Sequence, residues 1–329
     1  MAVFADLRGT RGRSPSAGWL PCMGACTVDG SAPGAIDVVS KTVSRRRFIA
    51  VTALSLPGWV RGSSNPVTDL ADSLATLERA NGGRLGVAIL DTATRGRSRY
   101  RADERFPMCS TFKFLLASAV LQRIDRHHET ADRAVPIPAR PLLSNSPLTE
   151  PHAGGSMTIG ALCHAIITQS DNTAANLLLD TIGGPAGVTS FARSIGDAVT
   201  RLDRTELTLN EALDGDPRDT TAPAAMLGNL EAVLLGGVLS ADSRQQLTQW
   251  MEGSLTGLKC LRAGLPPDWR VADKTGSNGS HTRNDIGVIW PPRHPPIIAA
   301  AYLTQCNGPE GKREKLLATI GRLIADSYS

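Results

Sequence analysis

Residues 110–121 read Ser-Thr-Phe-Lys-Phe-Leu-Leu-Ala-Ser-Ala-Val-Leu, an almost wholly apolar run that opens with a serine and a lysine three positions apart. The run predicts a helix over 112–125 and places Ser110 at its N-terminus, where free backbone N–H groups favour developing negative charge. Lys113 lies one turn later on the same face, so its amine can reach the Ser110 hydroxyl. Apolar surroundings lower the pKa of an ammonium group, which suits a proton acceptor. The alternative for this motif alone is a capping serine beside a snorkelling lysine.

A second polar motif, Ser170-Asp171-Asn172, follows 60 residues after Ser110, between the predicted helices 158–168 and 172–181. The Ser170 hydroxyl can pass a proton to a leaving nitrogen, and the Asn172 amide can bind a substrate carbonyl. The alternative is a helix N-cap, a position that Ser and Asp often occupy.

A third motif, Lys274-Thr275-Gly276-Ser277, follows another 104 residues on, after a strand predicted over 269–273. A cation and two hydroxyls on an edge strand would bind a carboxylate, and Gly276 would let a substrate backbone approach. The alternative is an ordinary strand end followed by a turn.

Strand patterns lie towards both ends of the chain, and helical patterns fill the middle. The fold expected is therefore α/β: an antiparallel sheet flanked by helices, interrupted by a large all-α domain, with the active site in the cleft between them. We expect the α/β domain at 66–102 and 253–329 and the inserted domain at 103–252. Strands are predicted over 84–91, 269–273, 285–290 and 297–303, and helices over 69–80, 112–125, 158–168, 172–181, 222–235, 240–252 and 312–326.

The basic charge of the chain belongs to its first 65 residues. The net charge is +4, but residues 1–65 hold eight of the 35 Lys and Arg and three of the 31 acids, so the remainder carries about one negative charge. Four alternating arginines at 95, 97, 99 and 101 fit the solvated face of an edge strand better than a polyanion site. Nucleic acid is therefore not an expected partner.

Residues 1–65 are interpreted as a leader. Ser44-Arg45-Arg46-Arg47-Phe48 precedes a short apolar stretch ended by Pro57-Gly58, which resembles a twin-arginine export signal and is too short to span a bilayer. This predicts export to the periplasm without a stable membrane anchor. Residues 1–43 are unusually long for this role, and one hypothesis is that translation begins later, at Val43. The alternative to the signal is a basic cytoplasmic segment.

The chain offers no metal-ligand spacing. Its six histidines form no H-E-x-x-H pair, and its cysteines form no C-x-x-C pair. Neither a metal nor another cofactor is expected.

The three motifs together resemble the signature set of serine β-lactamases and penicillin-binding proteins, and residues 66–329 resemble class A serine β-lactamases. The match extends to the Ω-loop of that family, about 201–219, through Arg204, Glu206, Asn210 and Asp219. The resemblance implies hydrolysis of penicillins and cephalosporins by a monomer. It makes Ser110 the acylated nucleophile, with the N–H groups of Ser110 and Ser277 as the oxyanion hole.

The resemblance assigns the remaining residues as follows. Glu206 and Asn210 hold the deacylating water, and either Lys113 or Glu206 is the base for acylation. Ser170 is catalytic, and Asn172, Lys274, Thr275, Ser277 and Arg283 bind the substrate. Arg204 and Asp219 form an ion pair that closes the neck of the loop.

Several positions depart from the family pattern. Leu207 follows Glu206, where many relatives carry a proline after a cis bond, and Asn145 stands where many carry an aromatic gate. The family partners of Cys109 and Cys163 would fall on Asn278 and Ala117, so both thiols are expected to be free.

Two other classes of protein share the three motifs: a β-lactam sensor that stays acylated, and a peptidoglycan DD-peptidase. Neither is expected to carry the Ω-loop glutamate, so Glu206 favours the hydrolase.

Overall fold

The computed structural model describes residues 66–328. The interpretations of the leader and of the start at Val43 fall outside these residues. Within them, no helix has both the length and the apolar content needed to span a bilayer.

The strands of the described residues form one large sheet and two small ones. The large sheet has the order β2-β1-β9-β8-β7, and every neighbouring pair is antiparallel, which confirms the expected sheet. The strands are β1 (Arg84–Asp91), β2 (Arg97–Tyr100), β3 (Phe106–Pro107), β4 (Ala134–Pro136), β5 (Ser156–Thr158), β6 (Thr220–Thr221), β7 (Arg270–Ser277), β8 (Arg283–Trp290) and β9 (Ile297–Thr304).

The helices cover both faces of the large sheet. They are α1 (Pro66–Asn81), α2 (Phe112–Asp125), α3 (Ile159–Thr168), α4 (Asn172–Thr181), α5 (Pro185–Ser194), α6 (Pro223–Leu230), α7 (Ala241–Glu252) and α8 (Glu310–Tyr328). Helices α1 and α8 share one apolar cluster with alternate residues of β1, such as Val87 and Ile89. The intervening Ala88 and Leu90 face the other cluster, which contains α2. The sheet is therefore buried on both sides: α6 packs against β1, β8 and β9 on this second side, and α2 packs among α3, α4, α5 and α7.

Three local predictions differ from the structure. Helix α5 was not predicted. It begins at Pro185, directly after Gly183 and Gly184, and a Gly-Gly-Pro sequence is also typical of a turn. Proline is nevertheless favoured in the first turn of a helix. The predicted helix 222–235 is α-helical only to Leu230 and continues as a π-helical turn over Glu231–Leu235.

The third motif lies within a strand rather than after one. Residues 274–277 pair with β8 through Lys274 opposite Ile286 and Ser277 opposite Arg283. This pairing extends β7 beyond Asp273, and it depends on a neighbouring strand that the local pattern cannot show.

Each of the alternating arginines has a carboxylate partner at the sheet edge. Arg95 and Arg97 pair with Glu231, Arg99 pairs with Asp103, and Arg101 pairs with Glu78. These exposed pairs support the edge-strand interpretation over a polyanion site. The prediction for Cys109 and Cys163 is confirmed, because both are buried free thiols.

Candidate active site

The three motifs meet in one cleft of about 430 Å³. The turn that carries Ser110, just before α2, lies against the edge strand β7. The lining of the cleft includes Ser110, Asn145, Ser170, Asn172, Asn210, Thr275, Ser277 and Arg283. Within the described residues, no three His, Cys, Asp or Glu side chains form a group that could hold a metal.

Ser110 does not act as a helix cap. It lies in a 3₁₀ turn, Cys109–Thr111, that leads into α2, and neither this turn nor α2 has a side-chain cap. Its Oγ accepts a hydrogen bond from Lys113 Nζ at 3.1 Å and lies 3.5 Å from Glu206 Oε1. The capping alternative for Ser110 is therefore wrong, and its hydroxyl lies between an amine and a carboxylate.

Lys113 is fully buried, which rules out snorkelling. Its Nζ donates to Asn172 Oδ1 at 2.6 Å and to the Ser170 carbonyl at 2.8 Å, and lies 2.9 Å from Glu206 Oε1. Burial lowers the pKa of Lys113, and the adjacent Glu206 carboxylate opposes this shift. The amine thus links Ser110 to Ser170, Asn172 and Glu206.

Ser170 joins two buried lysines. Its Oγ lies 3.3 Å from Lys113 Nζ and 3.2 Å from Lys274 Nζ. Burial lowers the pKa of Lys274 well below its usual range, and the positive charges of Lys113 and Arg283 add to this. The capping alternative for this motif holds only for Asp171, whose Oδ1 accepts from Ala174 N at the start of α4.

Glu206 is buried and held through both its backbone and its carboxylate. Asn210 Nδ2 donates to Glu206 Oε2 at 2.6 Å. Asn176 of α4 makes two 2.9 Å bonds with the Glu206 backbone, one to its N–H and one to its carbonyl. The Glu206–Leu207 peptide bond is cis. Asn176 was missed by the sequence reasoning; the available signal was a polar residue one turn after Asn172, on the same helix face.

The segment 201–219 is closed at its neck. Arg204 Nε lies 2.6 Å from Asp219 Oδ2, and Asp219 Oδ1 accepts the N–H groups of Asp203 and Arg204. The Asp219 carbonyl in turn accepts from Met108 N at 2.9 Å, two residues before Ser110. The loop and the Ser110 turn are therefore tied together at one point.

Arg283 lines the cleft but already has carboxylate partners. Its guanidinium lies 3.2 Å from Glu310 and 3.5 Å from Glu314, and donates to the Thr256 carbonyl at 2.9 Å. The two glutamates of α8 were not anticipated, because nothing in their local sequence points to the cleft. Any substrate carboxylate that approaches Arg283 shares its charge with them.

Gly276 is required by the chain itself. A Cβ at this position would lie 2.5 Å from the Met108 carbonyl and 3.2 Å from Ser110 N. A packing reason thus stands beside the expectation that this glycine admits a substrate backbone: β7 lies directly against the turn that carries Ser110.

Asp285, on β8, lies fully buried beside the cleft residues, and its Oδ2 accepts from Leu261 N at 3.0 Å. Burial raises the pKa of Asp285 well above its usual range, and Asp273 raises it further. The folded state therefore binds a proton more tightly than the unfolded state, where an aspartate has a pKa of about 3.9. The stabilisation from this proton is complete below the unfolded pKa and is lost as pH rises through the folded pKa.

We therefore predict that Asp285→Asn, which has no ionisation, gains stability relative to the parent chain as pH rises. The gain is expected to grow by about 1.4 kcal/mol per pH unit between the unfolded pKa and the folded pKa and to level off above the folded pKa, as measured by denaturant unfolding between pH 5 and 9. The exposed Asp326→Asn is the control and should show a constant difference. A constant difference for Asp285→Asn would contradict the assigned protonation.

Comparisons with known proteins agree with this geometry. Residues 69–328 match the model of the β-lactamase enzyme family. β-Lactamase L2 of Stenotrophomonas maltophilia is 49% identical over 299 residues, which cover 86% of this chain and 98% of the relative. β-Lactamase CTX-M-8 of Citrobacter amalonaticus is 46% identical over 260 residues, covering 79% of this chain and 89% of the relative.

Solved structures give the same class. An ancestral class A β-lactamase has 57% sequence identity and a TM-score of 0.77, covering 79% of this chain and all of the other. A β-lactamase from Xanthomonas campestris has 47% identity and a TM-score of 0.79, covering 80% of this chain and 99% of the other. The fold and the cleft thus define a serine hydrolase of the β-lactamase type. The chain belongs to the β-lactamase enzyme family, as a class A serine β-lactamase.

Proposed function

We propose that the chain opens the β-lactam amide through an acyl-enzyme on Ser110, which is hydrolysed by a water that Glu206 activates, and that it thereby confers resistance to penicillins and cephalosporins. The observation that carries this proposal is the position of Glu206. One buried carboxylate lies 3.5 Å from the Ser110 hydroxyl and 2.9 Å from the Lys113 amine, and accepts from the Asn210 amide.

In the acylation step, Ser110 Oγ attacks the β-lactam carbonyl carbon and loses its proton to a base. Lys113 is one candidate, because burial lowers its pKa and its Nζ lies 3.1 Å from Ser110 Oγ. Glu206 is the other, acting directly or through water. The backbone N–H groups of Ser110 and Ser277 hold the developing oxyanion.

Cleavage of the amide bond needs a proton on the leaving nitrogen. Ser170 supplies it from Oγ, which lies within 3.3 Å of both Lys113 and Lys274 and can be reprotonated by either. Substrate is held by the Asn172 amide and, through its carboxylate, by Lys274, Thr275, Ser277 and Arg283.

In the deacylation step, Glu206 removes a proton from a water that attacks the ester carbon. The ester C–O bond then breaks, and the proton passes from Glu206, directly or through Lys113, to Ser110 Oγ and restores its hydroxyl. Asn210 supports this role from two sides. Its Nδ2 orients the Glu206 carboxylate, and its buried Oδ1 accepts no hydrogen bond within the described residues, so it can accept one from the water. The Arg204–Asp219 ion pair keeps this loop closed over the cleft.

The experiment that tests the function is sustained turnover. Purified protein is expected to remove the ultraviolet band of a penicillin and of a cephalosporin over many equivalents per enzyme. A reaction that stops after one equivalent of β-lactam would instead indicate the sensor class. Slow release of the acyl group from Ser110, together with cleavage of a peptide substrate, would indicate the DD-peptidase class. The family comparisons favour neither alternative.

We also propose that the protein is exported to the periplasm through the twin-arginine pathway. The sequence Arg45-Arg46-Arg47-Phe48 supports this proposal. Replacing Arg45 and Arg46 by lysine should leave the protein in the cytoplasmic fraction, and unchanged fractionation would contradict the route.

We also propose that the chain has two domains, an α/β domain made of residues 66–102 and 253–329 and an inserted domain of residues 103–252. In support of this division, all five strands of the large sheet belong to the α/β domain. A monomer is proposed from the family resemblance, and light scattering would test it.

A further inference from the structure

A second polar pocket, of about 440 Å³, lies between the C-terminal half of α2 and one side of α5. It lies at the end of α2 opposite Ser110. We propose that this pocket is a binding site for a phosphate group. Its polar side chains come from the two facing helices and the turn after α2: Gln122, Arg123, Arg126, His128, Ser190 and Ser194.

The charge balance of this pocket sets it apart from the other arginine clusters of the protein. Its lining contains two arginines and a histidine but no carboxylate. Arg126 is exposed, and within residues 66–328 its side chain has no ion-pair or hydrogen-bond partner. Glu129, in the following turn, accepts hydrogen bonds from Arg133 at 2.6 and 2.8 Å, and Arg123 is near enough to help lower the pKa of this carboxyl. The alternating arginines on and beside β2, by contrast, all have acidic partners.

Arg123 carries the clearest sign of an unfilled interaction. Its Nε is buried without a hydrogen-bond partner in the described protein, while Nη2 reaches only the His128 carbonyl at 3.4 Å. A buried donor on a charged group is costly to leave unpaired, and the guanidinium fork matches the oxygens of a phosphate. The opposite wall is shaped by Gly183 and Gly187, and the first turn of α5 there has no side-chain cap. Two arginines and the Ser190 hydroxyl thus line one open volume, and the Ser194 hydroxyl beside them donates to the Phe191 carbonyl at 2.7 Å.

The ligand chemistry is a phosphate monoester or diester, either free in solution or on a lipid headgroup. The test is a titration of the full-length protein with inorganic phosphate, followed by amide NMR shifts of the residues around Gly183 and Gly187. Saturable shifts are expected in the parent chain and in the control Lys315→Gln/Arg322→Gln, which removes two exposed cations from α8. Binding should weaken at least about tenfold in Arg123→Gln/Arg126→Gln.

Co-sedimentation with phosphatidylglycerol vesicles, compared with phosphatidylcholine vesicles, separates the two sources of phosphate. Pelleting that is lost only in the Arg123/Arg126 double variant identifies a lipid headgroup, whereas saturable phosphate binding without pelleting identifies a soluble ligand. Shifts that do not saturate, or that weaken equally in both double variants, would overturn the proposal. If Arg123→Gln/Arg126→Gln has a lower melting temperature but unchanged phosphate binding, the proposal is also overturned, because the two arginines would then only stabilise the C-terminal end of α2.

Discussion

Glu206→Gln is expected to leave acylation of Ser110 largely intact while slowing steady-state turnover about 10³-fold, the scale of a lost general base. Glutamine has the shape of glutamate and can still accept from Asn210 Nδ2, but its amide cannot take a proton from water. A rapid burst of one equivalent, followed by slow release, is the expected time course. Intact-mass spectrometry should find the acyl-enzyme accumulated. Unchanged steady turnover would refute the role assigned to Glu206.

The same variant separates the two candidate bases for acylation. The Glu206 carboxylate opposes the lowering of the Lys113 pKa by burial, so its removal should lower that pKa further and leave the amine more often neutral. If Glu206→Gln forms the acyl-enzyme at nearly the rate of the parent chain, the base for acylation is Lys113. If its acylation is slowed as much as its turnover, the base is Glu206. Glu211→Gln is the control, because Glu211 lies in the same loop with a half-exposed side chain that contacts Arg204. It should keep most of the parental turnover.

Ser110→Ala is expected to abolish covalent labelling by a penicillin and to reduce turnover by about 10⁴-fold or more, as when other serine hydrolases lose their nucleophile. The reason is that no other described hydroxyl lies both within 3.1 Å of Lys113 and within 3.5 Å of Glu206. Intact-mass spectrometry after mixing with excess penicillin measures the adduct directly.

The control for this change is Ser118→Ala. Ser118 is a buried hydroxyl on the same helix that donates to the Phe114 carbonyl and has no contact with the cleft motifs. It should retain labelling and turnover, and both variants should unfold cooperatively. A covalent adduct in Ser110→Ala would show that another group is acylated and would require a different mechanism.

Much of the fold was readable because the hydrophobic periods are strong. The predicted helices at 112–125 and 172–181 and the strand at 84–91 have the bounds observed. Each is a long segment whose apolar spacing matches its own secondary structure. Helix α5 and the extension of β7 were missed for opposite reasons: a Gly-Gly-Pro start resembles a turn, and strand pairing with β8 is invisible to a local pattern.

The amino-acid sequence alone shows which reacting groups this protein has and which of them are close along the chain. Ser110 and Lys113 are three residues apart, and Glu206 and Asn210 are four residues apart. How the two pairs combine depends on the packing of whole elements. Lys113 meets Ser170 because α2 packs against α3 and α4, and it meets Glu206 because the turn before α2 lies against the loop. Arg283 is partnered by Glu310 and Glu314 because α8 packs beside β8. These contacts join residues up to 93 positions apart, and such distances are set by the packing of whole elements rather than by any period in the chain.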